Sequence, residues 1–244
     1  EAALESATEE LQRSTRYSAD ASHQLKSPVT LIRAGVEHLL QRENFEPDVY
    51  EELSAMLHQT RRLTGVIDAL LLLARMDAGH LQIKSQPVNL SELIEEWLDD
   101  LSALCETPQV RIEKQVPHEL YVSGERQYIS LIIQNLLENA WKYNRPDGVL
   151  RVVAREKGGD VVLAIGNTGR TILVSEHEHI FERFHRDGAG SAVAGHGLGL
   201  NLARELTRLH GGKLRLVRST DDWTEFEVRF VAVNRLVRPG PAIA

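Results

Sequence analysis

Cysteine is nearly absent from this sequence. Cys105 is the single one among 244 residues, so no internal disulfide can form, and the chain suits a reducing compartment. It sits in an apolar helical pattern, where buried packing is the expected role rather than a reactive thiol. Long hydrophobic runs are missing as well. The longest, from Ala69 to Ala74, falls far short of the ~18 apolar residues a membrane-spanning helix needs, so a soluble piece is expected. There is no excess of basic charge: 28 Lys and Arg against 35 Asp and Glu give a net charge of −7, which argues against non-specific nucleic-acid binding. The first residue is Glu1 rather than methionine, and 238–244 reads as a frayed tail, so a piece of a longer chain is expected. His177, His179 and His185 have no cysteine or carboxylate at zinc spacing, which sets a zinc cluster aside. What the composition does supply is 42% hydrophobic residues, enough for one large or two modest cores.

From residue 4 to about 42, apolar or small residues recur every seven positions at Leu4, Leu11, Ser18, Leu25, Ile32 and Leu39. A second series, Thr15, Ser22, Val29 and Val36, falls four residues after members of the first. That is a heptad seam of helices packed side by side. Pro47 suits the first turn of a new helix, predicted from about 48 to 78 with its own series at Leu53, Leu57, Thr60, Leu63, Ile67, Leu70 and Ala74. Two such helices form an antiparallel hairpin that covers only part of its apolar surface. Dimerisation into a four-helix bundle completes it.

Gly79 should end the second helix, and 80–87 reads as a linker with a short extended segment. Beyond it helices and strands mix. Asn89 or Ser91 can cap a helix to about 106, strands are predicted at 110–114 and 120–122, and a helix at 125–143. Strands at 149–156 and 161–165 flank Lys157-Gly-Gly-Asp160, a hairpin signal. A glycine-rich stretch leads to a helix at about 198–210, ended by Gly211-Gly212, and strands at 214–217 and 225–231 close a second hairpin. The fold class expected is α+β and multidomain: a long helical hairpin over 1–79, a linker over 80–87, an α/β sandwich over 88–233, and a tail over 234–244.

Four stretches carry candidate chemistry. In Ser22-His23-Gln24-Leu25-Lys26-Ser27-Pro28, the imidazole of His23 and the hydroxyl of Ser27 are four apart and share a helix face. Ser22 is in the seam, so His23 is on its rim, packed yet open to a large partner. Pro28 leaves the carbonyl of Gln24 without its helical donor and should bend the helix there. In the second stretch Asn135, Asn139 and Lys142 share a face; amide oxygens can ligate Mg²⁺ and the lysine can neutralise phosphate. In the third, Asn167-Thr-Gly169, the Asn167 amide could accept from an adenine amino group and donate to a ring nitrogen, with Gly169 allowing the base to approach. The fourth, Gly195-His-Gly197-Leu198-Gly199, opens a helix whose N–H groups and dipole can hold phosphate. Phe181 to Arg186 and the small residues of 187–194 have the composition of a hinged lid. Each stretch alone fits an ordinary helix, turn or loop.

Together and in this order, the stretches resemble the sensor histidine kinases of two-component signalling. His23 to Pro28 is similar to the phosphoacceptor box, 135–143 to the N box, Asn167 to Gly169 to the first glycine box, Phe181 to Phe184 to the F box, and Gly195 to Leu200 to the second glycine box. The resemblance covers nearly the whole chain. It implies a homodimeric hairpin carrying the acceptor His23, joined to a gyrase-like ATP-binding domain. It implies that Asn139, helped by Asn135, holds Mg²⁺, that Lys142, Tyr143 and Arg186 approach the phosphates of ATP, and that Asn167 contacts adenine. Phe184 and the glycines Gly195, Gly197 and Gly199, with Leu198, would complete the nucleotide site. The phosphoryl group would pass to an aspartate on the receiver domain of a separate response regulator. The family also implies a cytoplasmic location, with a membrane anchor elsewhere in the full-length protein.

The sequence departs from the family pattern in three places. Gln24 stands where an acidic residue commonly follows the acceptor histidine; its amide can fix the imidazole tautomer but cannot act as a base, which predicts a slower kinase. Asn167 and Thr171 replace the usual aspartate and second glycine, so weaker adenine binding is expected. Ser27 stands where kinases that are also phosphatases usually have threonine or asparagine, and its hydroxyl could position water. The alternative is a degenerate kinase acting as a binding scaffold. Another ATPase with the same nucleotide fold is a further rival, and it leaves His23 and Pro28 unexplained.

Overall fold

The computed structural model describes residues 26–42, 45–103, 110–186 and 195–233. His23, Gln24, Cys105, the expected bend beside Gln24, the segment 187–194 and the tail lie outside them. The chain divides into two compact units, Glu1–Gln82 and Ile83–Ala244. Among the described residues no helix is long and apolar enough to cross a membrane.

The first unit contains helix α1, described over 26–40, and helix α2, Pro47–Asp77, which opens on Pro47 as its first helical residue. The two run antiparallel: Lys26 pairs with Asp68, and Glu37 lies 3.6 Å from Arg61. These exposed ion pairs fix register more than stability, at about 0–1 kcal/mol each. The two heptad series separate cleanly in burial. Val29 and Val36 are buried, whereas Ile32 and Leu39 are 53% and 37% exposed. On α2, Thr60, Ile67, Leu73 and Met76 are buried and Leu63 is 48% exposed. One seam is thus closed inside the hairpin and a second apolar stripe lies open. Gly79, at φ +68°, ends α2 as expected: its N–H donates to Met76 O and the His80 N–H to Arg75 O, both at 3.0 Å.

The second unit is built on a five-stranded sheet in the order β2-β4-β5-β7-β6, where β2 is Val110–Gln115, β4 Gly148–Lys157, β5 Asp160–Thr168, β6 Lys213–Thr220 and β7 Trp223–Val231. The β2–β4 pair is parallel and the other three pairs are antiparallel. A separate two-stranded sheet joins β1, Gln86–Asn89, to β3, Tyr121–Gly124. The extended segment at the end of the expected linker is therefore a strand of this unit. Its partner lies far along the chain, which local pattern cannot reveal. Helix α3, Leu90–Ala103, is capped by Asn89, whose side-chain oxygen accepts the Glu92 N–H at 3.4 Å. Ser91 is used differently: its hydroxyl donates to Pro117 O and accepts the Leu120 N–H.

Helices α4, Arg126–Lys142, and α5, Gly199–Leu209, cover the sheet. Ile129, Ile132, Ile133, Leu136 and Leu137 of α4 and Leu202, Ala203 and Leu206 of α5 are buried at the 3.6-residue period. On β5 the alternation places Val161, Leu163 and Ile165 in the core. Asn167 continues that phase, so it falls at the end of the core-facing row, 5% exposed, on the side the helices cover.

Candidate nucleotide site

Burying the apolar stripe of α4 turns Asn135, Asn139 and Lys142 to a flanking, half-buried face of the helix. The Asn135 amide nitrogen donates to Leu131 O at 2.7 Å, which fixes the side chain and orients its oxygen away from that carbonyl. That oxygen lies over Gly199, where a Cβ would come within 2.5 Å of it. The Lys142 ammonium lies over Gly195, where a Cβ would come within 2.2 Å, and stands 5.1 Å from the Tyr143 ring centroid. Tyr143 caps α4; its N–H donates to Asn139 O, and its own carbonyl rests on Gly169, where a Cβ would be 2.2 Å away. Gly169 has φ +145°, which favours glycine as well. Three contacts thus bring the expected N-box helix against both glycine turns. In each case a missing Cβ provides the space.

The segment around Phe184 joins the same surface. Phe184 has φ +62° and is 58% exposed, a left-handed conformation that costs a non-glycine residue about 1–2 kcal/mol. Its N–H donates to Gly197 O at 2.9 Å, and Gly197, at φ +68°, has no Cβ to strike the carbonyl of His185. Phe181 is buried, set edge-on against Phe226, and its carbonyl accepts from the Asn201 amide at 2.8 Å. Arg186 is exposed at the border of the segment outside the described residues. Leu198 is buried immediately before α5, and its carbonyl accepts the Leu202 N–H, so the first N–H groups of that helix follow the glycine turn.

Asn167 is buried and tied into its own turn. One of its amide N–H donors is engaged by Thr168 O at 2.8 Å, so the side chain is already oriented by its own turn. Two residues to which the sequence reading gave no role also belong here. Asn144 and Thr168 hydrogen-bond at 2.6 Å across the base of the site; Asn144 lies just past the N-box stretch, and Thr168 is inside the first glycine box without a role assigned to it.

The three histidines near the F box each have a separate partner. His177 Nε2 bonds to Ile172 O, His179 Nδ1 is 2.9 Å from Glu182, and His185 Nε2 is 2.7 Å from Glu176. The hydrogen bond to Glu182 raises the His179 pKa above its ordinary value. Among the described residues no three His, Cys, Asp or Glu side chains converge as a metal site. The oxygen donors near Gly195 and Gly199 are amides, a neutral hard-ligand set that suits Mg²⁺ arriving with a polyphosphate rather than a metal held by protein alone. One positive side chain, a helix N-terminus and a glycine turn on one surface can hold an anionic phosphate chain. The buried amide at the end of β5 can read a flat base beside it.

Residues 124–234 match the family of histidine kinase-, DNA gyrase B- and HSP90-like ATPases, and residues 5–79 match the His Kinase A (phospho-acceptor) domain family. The sequence is 30% identical over 212 residues to the sensor protein SphS of Synechococcus elongatus, covering 83% of this chain and 51% of that protein. It is 30% identical over 222 residues to the signal transduction histidine-protein kinase/phosphatase MprB of Mycolicibacterium paratuberculosis, covering 87% and 41%. The structure of the mycobacterial sensor histidine kinase MprB is similar over 61% of this chain and 98% of that one, with a TM-score of 0.54 and 25% identity. Full-length ShkA, solved in complex with AMPPNP, shares the fold over 89% of this chain and 46% of its own, with a TM-score of 0.75 and 20% identity. The chain spans about half the length of the curated relatives it matches.

Proposed function

Because the chain belongs to the sensor histidine kinases of two-component signalling, we propose that it is an ATP-dependent autokinase that phosphorylates its own His23. The observation that supports this most is the convergence of α4, the β5 turn and the start of α5, where Asn135 meets Gly199, Lys142 meets Gly195 and Tyr143 meets Gly169. Asn167 and Gly169 take the adenine; Asn139 and Asn135 offer amide oxygens to Mg²⁺, which would neutralise phosphate oxygens when bound. Lys142, Tyr143 and Arg186 face the phosphates, and Gly195, Gly197, Leu198 and Gly199 bring backbone N–H groups to them. Phe184 closes the edge of the site.

The step itself is an in-line displacement. Nε2 of neutral His23 forms a bond to the γ-phosphorus while the bond from that phosphorus to the bridging oxygen breaks, and ADP leaves with the electron pair. Lys142 and Arg186 offset the charge that develops. Gln24 accepts the Nδ1–H of His23 as a hydrogen bond and fixes the tautomer; having no basic oxygen, it leaves that proton to water. Ser27 follows His23 by four residues in the sequence. Its hydroxyl can orient a water that attacks the phosphorus of the regulator's phosphoryl-aspartate and releases inorganic phosphate, a phosphatase activity that the name of the MprB relative carries.

The chain works as a homodimer. The open stripe containing Ile32, Leu39 and Leu63 supports this, since covering one such side chain stabilises by about 1.5–3 kcal/mol. The phosphoryl group then passes to an aspartate of a response-regulator receiver domain in trans, on the cytoplasmic side of a membrane-anchored sensor.

Incubation of the purified chain with γ-labelled Mg-ATP tests the proposal. We expect an acid-labile, base-stable phosphoryl group on His23 that is absent from His23→Gln. No labelling in a folded dimer would overturn the kinase reading in favour of the scaffold suggested by Gln24, Asn167 and Thr171. Steady ATP hydrolysis unaffected by His23→Ala would instead favour an ATPase of another kind.

A further inference from the structure

The end of α4 and the base-reading turn of β5 are tied by side chains that the proposed function leaves without a role. The Thr168 hydroxyl donates to the Asn144 side-chain oxygen at 2.6 Å and accepts the Val149 N–H at 2.7 Å. The Asn144 amide nitrogen donates to Val149 O at 3.1 Å, and its oxygen also accepts the Arg145 N–H at 3.0 Å. The backbone ladder between β4 and β5 ends at Leu150 opposite Asn167, so the Thr168 side chain extends the pairing by one residue. Gly148 gives the two side chains their room: a Cβ there would lie 2.0 Å from the Asn144 oxygen and 2.3 Å from the Thr168 hydroxyl.

The position of this clasp is what gives it consequence. Asn144 directly follows Tyr143, and Thr168 lies between Asn167 and Gly169. On one side of the clasp are the groups assigned to the phosphates, on the other the groups assigned to the base. We propose that Asn144 and Thr168 are positioning residues that set the spacing between the base and phosphate halves of the nucleotide site. A ligand with both halves gains from that spacing, because once one half is bound the other is presented at high effective concentration. A ligand with only one half does not. The inference rests on the ATP-binding reading above and deepens it.

The test compares three ligands on the full chain: Mg-ATP, adenosine, and Mg-tripolyphosphate, each titrated by calorimetry or chemical-shift perturbation. Thr168→Val keeps the shape and removes both hydroxyl bonds, and Thr168→Ser restores them. Asn144→Ala breaks the clasp from the other side. We expect Thr168→Val and Asn144→Ala to weaken Mg-ATP about tenfold, while adenosine and tripolyphosphate each change less than about twofold and Thr168→Ser behaves as the unaltered chain. Unchanged Mg-ATP affinity in both folded variants would overturn the inference, and so would a parallel fall for all three ligands, which marks a merely structural role. If the unaltered chain binds none of the three, the ATP-binding reading itself fails, an outcome distinct from these.

Discussion

The side-chain oxygen of Asn135, on α4, occupies the space that a Cβ on Gly199, at the start of α5, would need; the two would be 2.5 Å apart. Asn135 cannot readily turn aside, because its amide nitrogen is held by Leu131 O. Gly199→Ala should therefore push α5 away from α4. Alanine gains up to about 1 kcal/mol in helix propensity and the overpacking costs about 1–3 kcal/mol, so stability should fall by about 0–2 kcal/mol and the domain should stay folded. Mg-ATP affinity should fall at least about tenfold, since phosphate binding depends on where those N–H groups point. Calorimetric titration beside a thermal melt checks both halves; a tight-binding Gly199→Ala would show that the contact does not shape the site.

Gln24 follows the acceptor histidine without a basic oxygen. Gln24→Glu should raise the autophosphorylation rate, by up to about 10²-fold at the lower end of general-base contributions. Single-turnover labelling with saturating Mg-ATP measures it. A rate unchanged within twofold would mean that deprotonation of the imidazole does not limit the step.

His210, at the end of α5, is buried as a neutral imidazole: Nδ1–H donates to Leu206 O at 2.7 Å and Nε2 accepts the Glu125 N–H at 3.3 Å. Burial holds its pKa below the ordinary 6.5, against smaller opposing effects of the Leu206 hydrogen bond and the Glu125 charge. The unfolded chain then binds this proton more readily than the fold does. The contribution to stability is complete above about pH 6.5 and is lost as pH falls from there toward the depressed value. Urea melts of the second unit's transition at pH 7.5 and 5.5 should show a loss that is smaller in His210→Gln. Equal pH dependence in the two proteins would assign the acid sensitivity elsewhere.

In the hairpin, Ile32 belongs to the stripe that α2 does not cover, and Val36 to the one it does. Ile32→Glu should weaken self-association at least about 100-fold, by loss of apolar burial and by desolvation of a charge, and leave helix content unchanged. Light scattering across a concentration series, with circular dichroism, reads both. A dimer of undiminished affinity would place its interface on another face.

Much of this was legible in the sequence because it is local. Periods of seven and of two, Pro47 at a helix start, Gly79 at a helix end and Lys157-Gly-Gly-Asp160 between strands each act through neighbours a few residues away. The linker expected over 80–87 ends inside the strand Gln86–Asn89, because what makes that segment a strand is Tyr121–Gly124. Both heptad series looked alike for the same reason. That Val29 is buried while Ile32 is open follows from the side on which α2 packs, and no period encodes that.

The sequence by itself determined the order of the elements and the chemistry available in the second unit: amides and a lysine on one helix face, and glycines before another helix. Tertiary structure alone decided that these meet. Gly195, Gly169 and Gly199 look in sequence like flexibility, but in the fold each is the gap that admits Lys142, Tyr143 or Asn135. The Asn144 to Thr168 clasp was invisible for the complementary reason. A hydrogen bond between side chains 24 residues apart leaves no periodic trace, and it forms only because β4 and β5 bring the two ends together.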